Sequence, residues 1–272
     1  MRHAAKEKQV RLVDMKTLVT IGRGGTGKSS FTALVAKSFI EAGYSPLLLV
    51  DADPDQNLAE MIGVDLKEAG KSTIAELLVN TFIERGGTTV GISPTERIES
   101  KILASGLYES DVFDFLSVGT KWVEGCYCMP NTALKAALES MTKNYRYVLI
   151  DSPAGLEHLN RRIASKVNDI FDILDHSKKS LEHVKRAYRI AKEVDMHFEN
   201  FYLIGGYRFP AELGSQAEEA LKFKYVGKIA ADEQLDDYVL NGQSLLDLPS
   251  GNVAYVSVKA ILKATGHIRQ PT

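Results

Sequence analysis

The stretch Gly22-Arg23-Gly24-Gly25-Thr26-Gly27-Lys28-Ser29-Ser30 constrains this chain more than any other feature. It fits G-x-x-x-x-G-K-[ST] from Gly22 to Ser29, after the apolar run Leu18-Val19-Thr20-Ile21 and before a segment with helical spacing. A strand that feeds such a loop into a helix is a phosphate cradle. Its glycines let successive backbone N–H groups turn towards an anion, and Lys28 adds a point charge for the outer phosphates. The Ser29 hydroxyl suits Mg²⁺, and the helix dipole contributes about half a positive charge at its N-terminus. Gly24, Gly25, Thr26, Gly27, Lys28, Ser29 and Ser30 are therefore the expected nucleotide contacts.

The rest of the pattern fits a parallel sheet. Apolar runs near 16–22, 46–51, 113–118, 146–151, 169–174, 201–206 and 225–230 mostly lack period-two alternation, as strands buried on both faces do. Helical stripes separate them: Phe31, Leu34, Val35 and Phe39; then Leu134, Ala137, Leu138 and Met141; then Leu181, Val184, Ala187, Tyr188 and Ala191. The expected fold is α/β, one doubly wound, mostly parallel sheet of about seven to eight strands with helices on both faces. It would span residues 15–272 behind a flexible leader, 1–14. Residues 80–112, with Gly86-Gly87 and Pro94, read as an excursion above the sheet.

Composition narrows the partners. Lys plus Arg number 33 against 35 Asp plus Glu, so there is no electrostatic case for strong nucleic-acid binding. No run approaches the roughly 18 apolar residues of a membrane span, and the leader has no apolar core of a secretory signal. Two cysteines, both in one tripeptide, make no disulfide framework, so a reducing, cytoplasmic setting is expected.

Two further strand ends carry carboxylates. Leu47-Leu48-Leu49-Val50 runs into Asp51-Ala52-Asp53-Pro54-Asp55, and Tyr147-Val148-Leu149-Ile150 into Asp151-Ser152-Pro153-Ala154-Gly155. Ligands of open α/β sheets sit at that edge. Asp51 and Asp151 are expected to support Mg²⁺, and a carboxylate of the first group can orient an attacking water. Three such elements in this order point to an ATP or GTP site.

The loop itself resembles the deviant Walker A motif of the MinD/ParA/nitrogenase-iron-protein ATPases, G-K-G-G-x-G-K-[ST]-[ST]. In that group the second-position lysine reaches the nucleotide of a partner subunit, which implies ATP bridging a face-to-face homodimer. Arg23 stands there in this chain; it keeps the charge and adds a bidentate fork suited to phosphate.

Cys126-Tyr127-Cys128 adds a metal-binding expectation. In an extended segment both sulfurs face one side. A disulfide across a single residue is strained, so the pair suits a soft metal better. One chain offers two thiolates where Zn²⁺ takes four, and a two-fold dimer would supply the rest.

Gly22–Ser30, Asp51–Asp55, Gly125-Cys126-Tyr127-Cys128 and Asp151-Ser152-Pro153-Ala154-Gly155-Leu156-Glu157-His158-Leu159 together resemble the carbon monoxide dehydrogenase accessory (CooC-type) nickel-insertion ATPases. The likeness runs from about residue 16 to the C-terminal helix and includes Gly242-Gln243-Ser244-Leu245. It implies an ATPase that dimerises with ATP and binds Ni²⁺ or Zn²⁺ through Cys126 and Cys128. Its client would be a nickel–iron–sulfur enzyme such as carbon monoxide dehydrogenase or acetyl-CoA synthase. By the same resemblance Arg23 is the trans-acting residue, Lys28 the phosphate lysine, Ser29 the Mg²⁺ hydroxyl and Asp53 the water-orienting carboxylate. Relatives place an Asn after the sixth strand to read adenine; here Phe201–Arg208 lacks it, and Tyr207 or Arg208 is the candidate to stack on the base. Two other readings stand beside this one. The first is an electron-transfer ATPase with a dimer-bridging iron–sulfur cluster, the second a partitioning or positioning ATPase.

Overall fold

Residues 15–53, 55–82, 93–119, 128–153 and 166–268 are described by a computed structural model of the chain. In chain order its elements are β1 (Lys16–Gly22), α1 (Lys28–Glu41), β2 (Leu47–Asp51), α2 (Asn57–Met61), α3 (Ile74–Phe82) and α4 (Pro94–Lys101). Next come β3 (Tyr108–Glu109), β4 (Asp114–Ser117), α5 (Cys128–Thr142), β5 (Tyr147–Asp151), β6 (Lys166–Leu174) and α6 (Lys178–Glu193). The chain continues through β7 (His197–Gly205), α7 (Gly214–Leu221), β8 (Lys224–Lys228), α8 (Glu233–Leu240) and α9 (Val253–Ala264). The leader 1–14 lies outside the described residues.

The eight strands form one sheet in the order β3-β4-β2-β5-β1-β6-β7-β8, parallel except where β3 pairs antiparallel with β4 at the edge. The expected architecture is therefore present, and all seven apolar runs become strands. The two-residue β3 has no apolar run and was not anticipated. Within 80–112 the described part is structured: Ser93 caps α4 in a reciprocal capping box with Glu96, and a π-helical turn, Ile102–Gly106, leads to β3.

Helices cover both faces because the strands bury both. Val19, Ile21, Leu48 and Ile150 face a core filled by Leu134, Leu138 and Met141 of α5 and Val184, Ala187 and Ala191 of α6. Leu18, Leu49, Leu149 and Phe171 face the opposite core, filled by Phe31, Leu34 and Phe39 of α1 with Tyr255 and Val258 of α9. All these side chains are buried, so the helical stripes read from sequence are the packing stripes. Among the described residues no helix is long and apolar enough to cross a membrane.

This topology delivers three strand ends to one place. β1 lies between β5 and β6, and β5 lies between β1 and β2. The turns after β1, β2 and β5 therefore emerge side by side at the carboxyl edge, where the chain's progression across the sheet reverses. Asp51 and Asp151 are register partners across β2 and β5, and Asp151 is also the partner of Thr20 on β1.

Candidate active site

The phosphate loop links β1 to α1 with its backbone open to a ligand. Gly27, the residue capping α1, has φ 94°, a left-handed conformation that glycine adopts without strain, and no side chain caps the helix. The first N–H groups of α1 thus remain available to an anion. Thr26 Oγ1 donates to Arg23 O at 2.9 Å, pinning the loop from inside. Behind it the turn after β7 approaches backbone to backbone. A Cβ at Gly206 would lie 2.8 Å from Thr26 O and 2.9 Å from Leu174 O, so a side chain there would push the loop out of place.

Around this loop sit the charged groups. Lys28 is buried, and its Nζ lies 3.8 Å from Asp53 Oδ2. Ser29 Oγ donates to Asp151 Oδ2. Asp51 is fully buried; its Oδ1 accepts from Asp53 N and its Oδ2 from Leu58 N, each at 3.0 Å. It thereby organises the β2–α2 turn that carries Asp53. Asp53 Oδ1 in turn accepts from Asp55 N at 3.1 Å.

Burial pushes the Asp51 carboxyl up to about 8, reinforced by the charge of Asp151 and opposed by its two backbone hydrogen bonds. Burial likewise raises Asp151 to about 7, against the pull of the Ser29 hydroxyl and Lys28. Two carboxylates this deep demand a cation when ionised.

Asp151 Oδ1 and Ser152 Oγ are buried with no hydrogen-bond partner. An orphaned carboxylate oxygen beside the Ser29 hydroxyl is a hard oxygen set of the kind Mg²⁺ selects, usually through one or two protein oxygens plus substrate phosphates. The residues present fit that ion: Ser29 would hold it, with Asp151 and Asp51 behind. Bound there, Mg²⁺ would neutralise charge on the outer phosphates.

Next to the loop opens a cavity of about 530 Å³. One end is lined by Gly24, Gly25, Gly27, Lys28, Ser29, Ser30 and Asp53. The other is largely apolar, built by Met61, Ile229, Ala230, Ala231, Leu235 and Val239, with Asp232 and Asp236 among them. A polar, cationic end joined to an apolar slot suits the phosphates and the flat base of one nucleotide. Tyr207 lines the cavity close to Gly27, whereas Arg208 is not among its lining residues and stacks its guanidinium 5.2 Å from the Tyr207 ring centre. Sequence reasoning missed the whole apolar end. Its available signal was Asp232, an N-cap whose side chain accepts from Leu235 N and marks the start of α8 right after β8.

Arg23 turns onto its own chain. Its Nη1 donates to Asp175 Oδ2 at 2.6 Å and to Ser177 Oγ at 2.7 Å, both on the connection from β6 to α6. Cys126 lies outside the described residues, as do Ala154, Gly155, Glu157 and His158, and the backbone of Cys128 opens α5. Among the described residues no group of three or more His, Cys, Asp or Glu is placed to hold a metal.

Comparison with known proteins agrees with this geometry. Residues 16–202 match the family described as AAA domain. The chain is 34 % identical over 242 residues to an uncharacterized ATP-binding protein of Methanocaldococcus jannaschii, covering 88 % of this chain and 94 % of that one. It is 25 % identical over 262 residues to the carbon monoxide dehydrogenase accessory protein CooC of Rhodospirillum rubrum, covering 93 % and 98 %. Its fold is similar to the septum site-determining protein MinD of Pyrococcus horikoshii complexed with Mg-ADP. The TM-score there is 0.66 at 18 % identity, over 93 % of this chain and 96 % of that one. The chain belongs to the AAA-domain family and is a P-loop ATPase whose fold matches that of MinD.

Proposed function

We propose that this ATPase is a dimerising metallochaperone that carries a metal ion between paired Cys126 and Cys128 thiolates and delivers it to a nickel–iron–sulfur enzyme. One observation carries the reading: the likeness to the carbon monoxide dehydrogenase accessory protein extends over nearly the whole of both chains. The tripeptide Cys126-Tyr127-Cys128 supplies the chemistry that a partitioning ATPase has no use for.

The site's own residues define the cycle. The N–H groups of the phosphate loop and Lys28 bind the triphosphate, and Ser29 with Asp151 would hold Mg²⁺. Asp53, on a turn organised by Asp51, orients the attacking water. Once the terminal phosphate leaves, Lys28 and Asp53 lose their shared ligand and the β2–α2 turn is free to relax. In the dimer Arg23 would exchange Asp175 and Ser177 for the partner's nucleotide. The cargo, Ni²⁺ or Zn²⁺, would sit between four sulfurs at the two-fold axis and leave when that axis opens.

Metal analysis of anaerobically prepared protein tests this, with and without a non-hydrolysable ATP analogue. We expect one nickel or zinc per dimer in the analogue-bound form, and loss of that metal in Cys126→Ser. Metal content unchanged by Cys126→Ser, or a chain that stays monomeric on a sizing column with the analogue, rules the assignment out.

A partitioning or positioning role is the second reading, favoured by the fold's likeness to MinD. It predicts a metal-free protein with unimpaired ATP-dependent dimerisation. A brown protein containing iron and sulfide would point instead to an electron-transfer ATPase.

A further inference from the structure

A second pair of buried polar groups lies under the phosphate loop on the sheet face away from α1. Asp172, on β6, is the register partner of Ile21, the residue before the loop begins. Its carboxyl is fully buried, and neither oxygen has a hydrogen-bond partner. His183, one turn and a half into α6, points at it: Nε2 is 3.8 Å from Asp172 Oδ1, itself buried and without a hydrogen bond. That separation is too long for a hydrogen bond yet too short for the groups to ignore each other. A fold does not leave three buried polar atoms unsatisfied without cost, and each asks for an explanation. The nucleotide machinery described above uses neither residue.

We propose that Asp172 and His183 are a positioning pair that takes up a proton when nucleotide fills the phosphate loop, closing their gap and drawing α6 onto β6. The inference rests on the nucleotide site described above. Its reach to the mechanism is short, because the connection into α6 carries Asp175 and Ser177, the two residues that hold Arg23.

The charges around the pair fix the direction of the effect. Burial pushes the Asp172 carboxyl up to about 8, while the positive charge of Lys28 pulls the other way. Burial also holds His183 below its ordinary range; Arg23, Lys28 and Arg186 add to this, and Asp175 opposes it. Two of these cations, Arg23 and Lys28, belong to the loop that receives the triphosphate. The other elements packed on α6 bring little charge near. On β1 the one titratable residue is Lys16, at the far end; on β6 Lys166 is exposed at the far end, and Asp169 is committed to Asn200 and His267. On α7, Glu218 is held by Tyr225 N, and Glu219 is exposed.

An anionic triphosphate offsets Arg23 and Lys28, so the pair binds protons more tightly in its presence. At pH 8 the Asp172 carboxyl of the free protein is about half ionised, and nucleotide then draws a proton from the buffer. With that proton in place the Asp172 carboxyl donates to His183 Nε2, and each residue gains the hydrogen bond it lacks.

Calorimetric titration of the full chain with Mg²⁺-free ATP at pH 8, in buffers of differing ionisation enthalpy, counts the protons taken up. At that pH the terminal phosphate is almost wholly ionised and contributes little. We expect Asp172→Asn to take up about half a proton per chain less than the unmodified protein. His183→Gln should take up fewer as well, and in both variants ATP affinity should depend less on pH between 7 and 9. A merely structural pair would not move the proton count. Equal uptake in the unmodified protein and either folded variant overturns the proposal; if Asp172→Asn fails to fold, His183→Gln decides alone. Failure of the unmodified chain to bind ATP would instead overturn the nucleotide site on which the pair depends.

Discussion

The two faces of the sheet below the phosphate loop carry buried carboxylates in opposite states. On the α1 face, Asp151 is tied to the Ser29 hydroxyl and Asp51 to two backbone N–H groups, so each charge has a scaffold before any ligand arrives. On the α6 face, Asp172 has no hydrogen bond and only a distant histidine. Burial raises all three carboxyls, yet the remedies differ. The first face is preorganised for a cation, the second for a proton. A buried carboxylate is thus a statement about what must arrive, and its hydrogen bonds say which arrival it awaits.

The largest effect that tests this contrast is on the α1 side. Lys28→Ala removes the charge facing both the outer phosphates and Asp53, and nucleotide affinity should fall on the order of 100-fold, read by titration calorimetry. Affinity within a few fold of the unmodified protein would mean that the loop amides bind phosphate unaided.

Asp151→Asn should weaken Mg²⁺ at the loaded site by about 10–100-fold, measured from the Mg²⁺ dependence of ATP hydrolysis. Asp172→Asn should leave that dependence alone. Similar Mg²⁺ shifts in the two variants would erase the distinction between the faces.

Smaller effects concern the ligand-free chain. Folded pKa values near 7 and 8 stand above the ordinary carboxylate value of about 4, so the folded state keeps protons that the unfolded state gives up. The contribution of these three carboxyls is therefore full below about pH 4 and is lost as pH rises through the folded values, near 7 for Asp151 and 8 for Asp51 and Asp172. The melting temperature should drop by at least about 5 °C between pH 5 and pH 9. Mg²⁺ with nucleotide should restore the share owed to Asp51 and Asp151. Asp172→Leu should flatten the remaining slope and raise stability at pH 9 by about 1 kcal/mol, since an unpaired buried charge is replaced by an apolar group. A pH profile unchanged in that variant would show that Asp172 stays neutral throughout.

Much of this was legible in the residues. Glycine spacing dictates a loop, and a strand entering it with a helix leaving it dictates where the phosphates go, because these are constraints within about twenty residues. Long apolar runs ending in Asp51 and Asp151 likewise announce buried parallel strands with carboxylates at their exits. The base end was less legible. Ile229, Ala230, Leu235 and Val239 are ordinary core or helix residues, and what makes them a slot is the approach of Met61 from across the site.

The sequence by itself thus determined the fold class, the phosphate loop and the metal-side carboxylates, all features written in local backbone and periodicity. Only the tertiary structure decided that Arg23 lies on Asp175 and Ser177, more than 150 residues away, and that Asp172 meets His183 from another element. No local rule could pair these groups. Whether a charged side chain finds a partner or is left waiting depends on which strand the topology sets beside it and which helix it lays across the face.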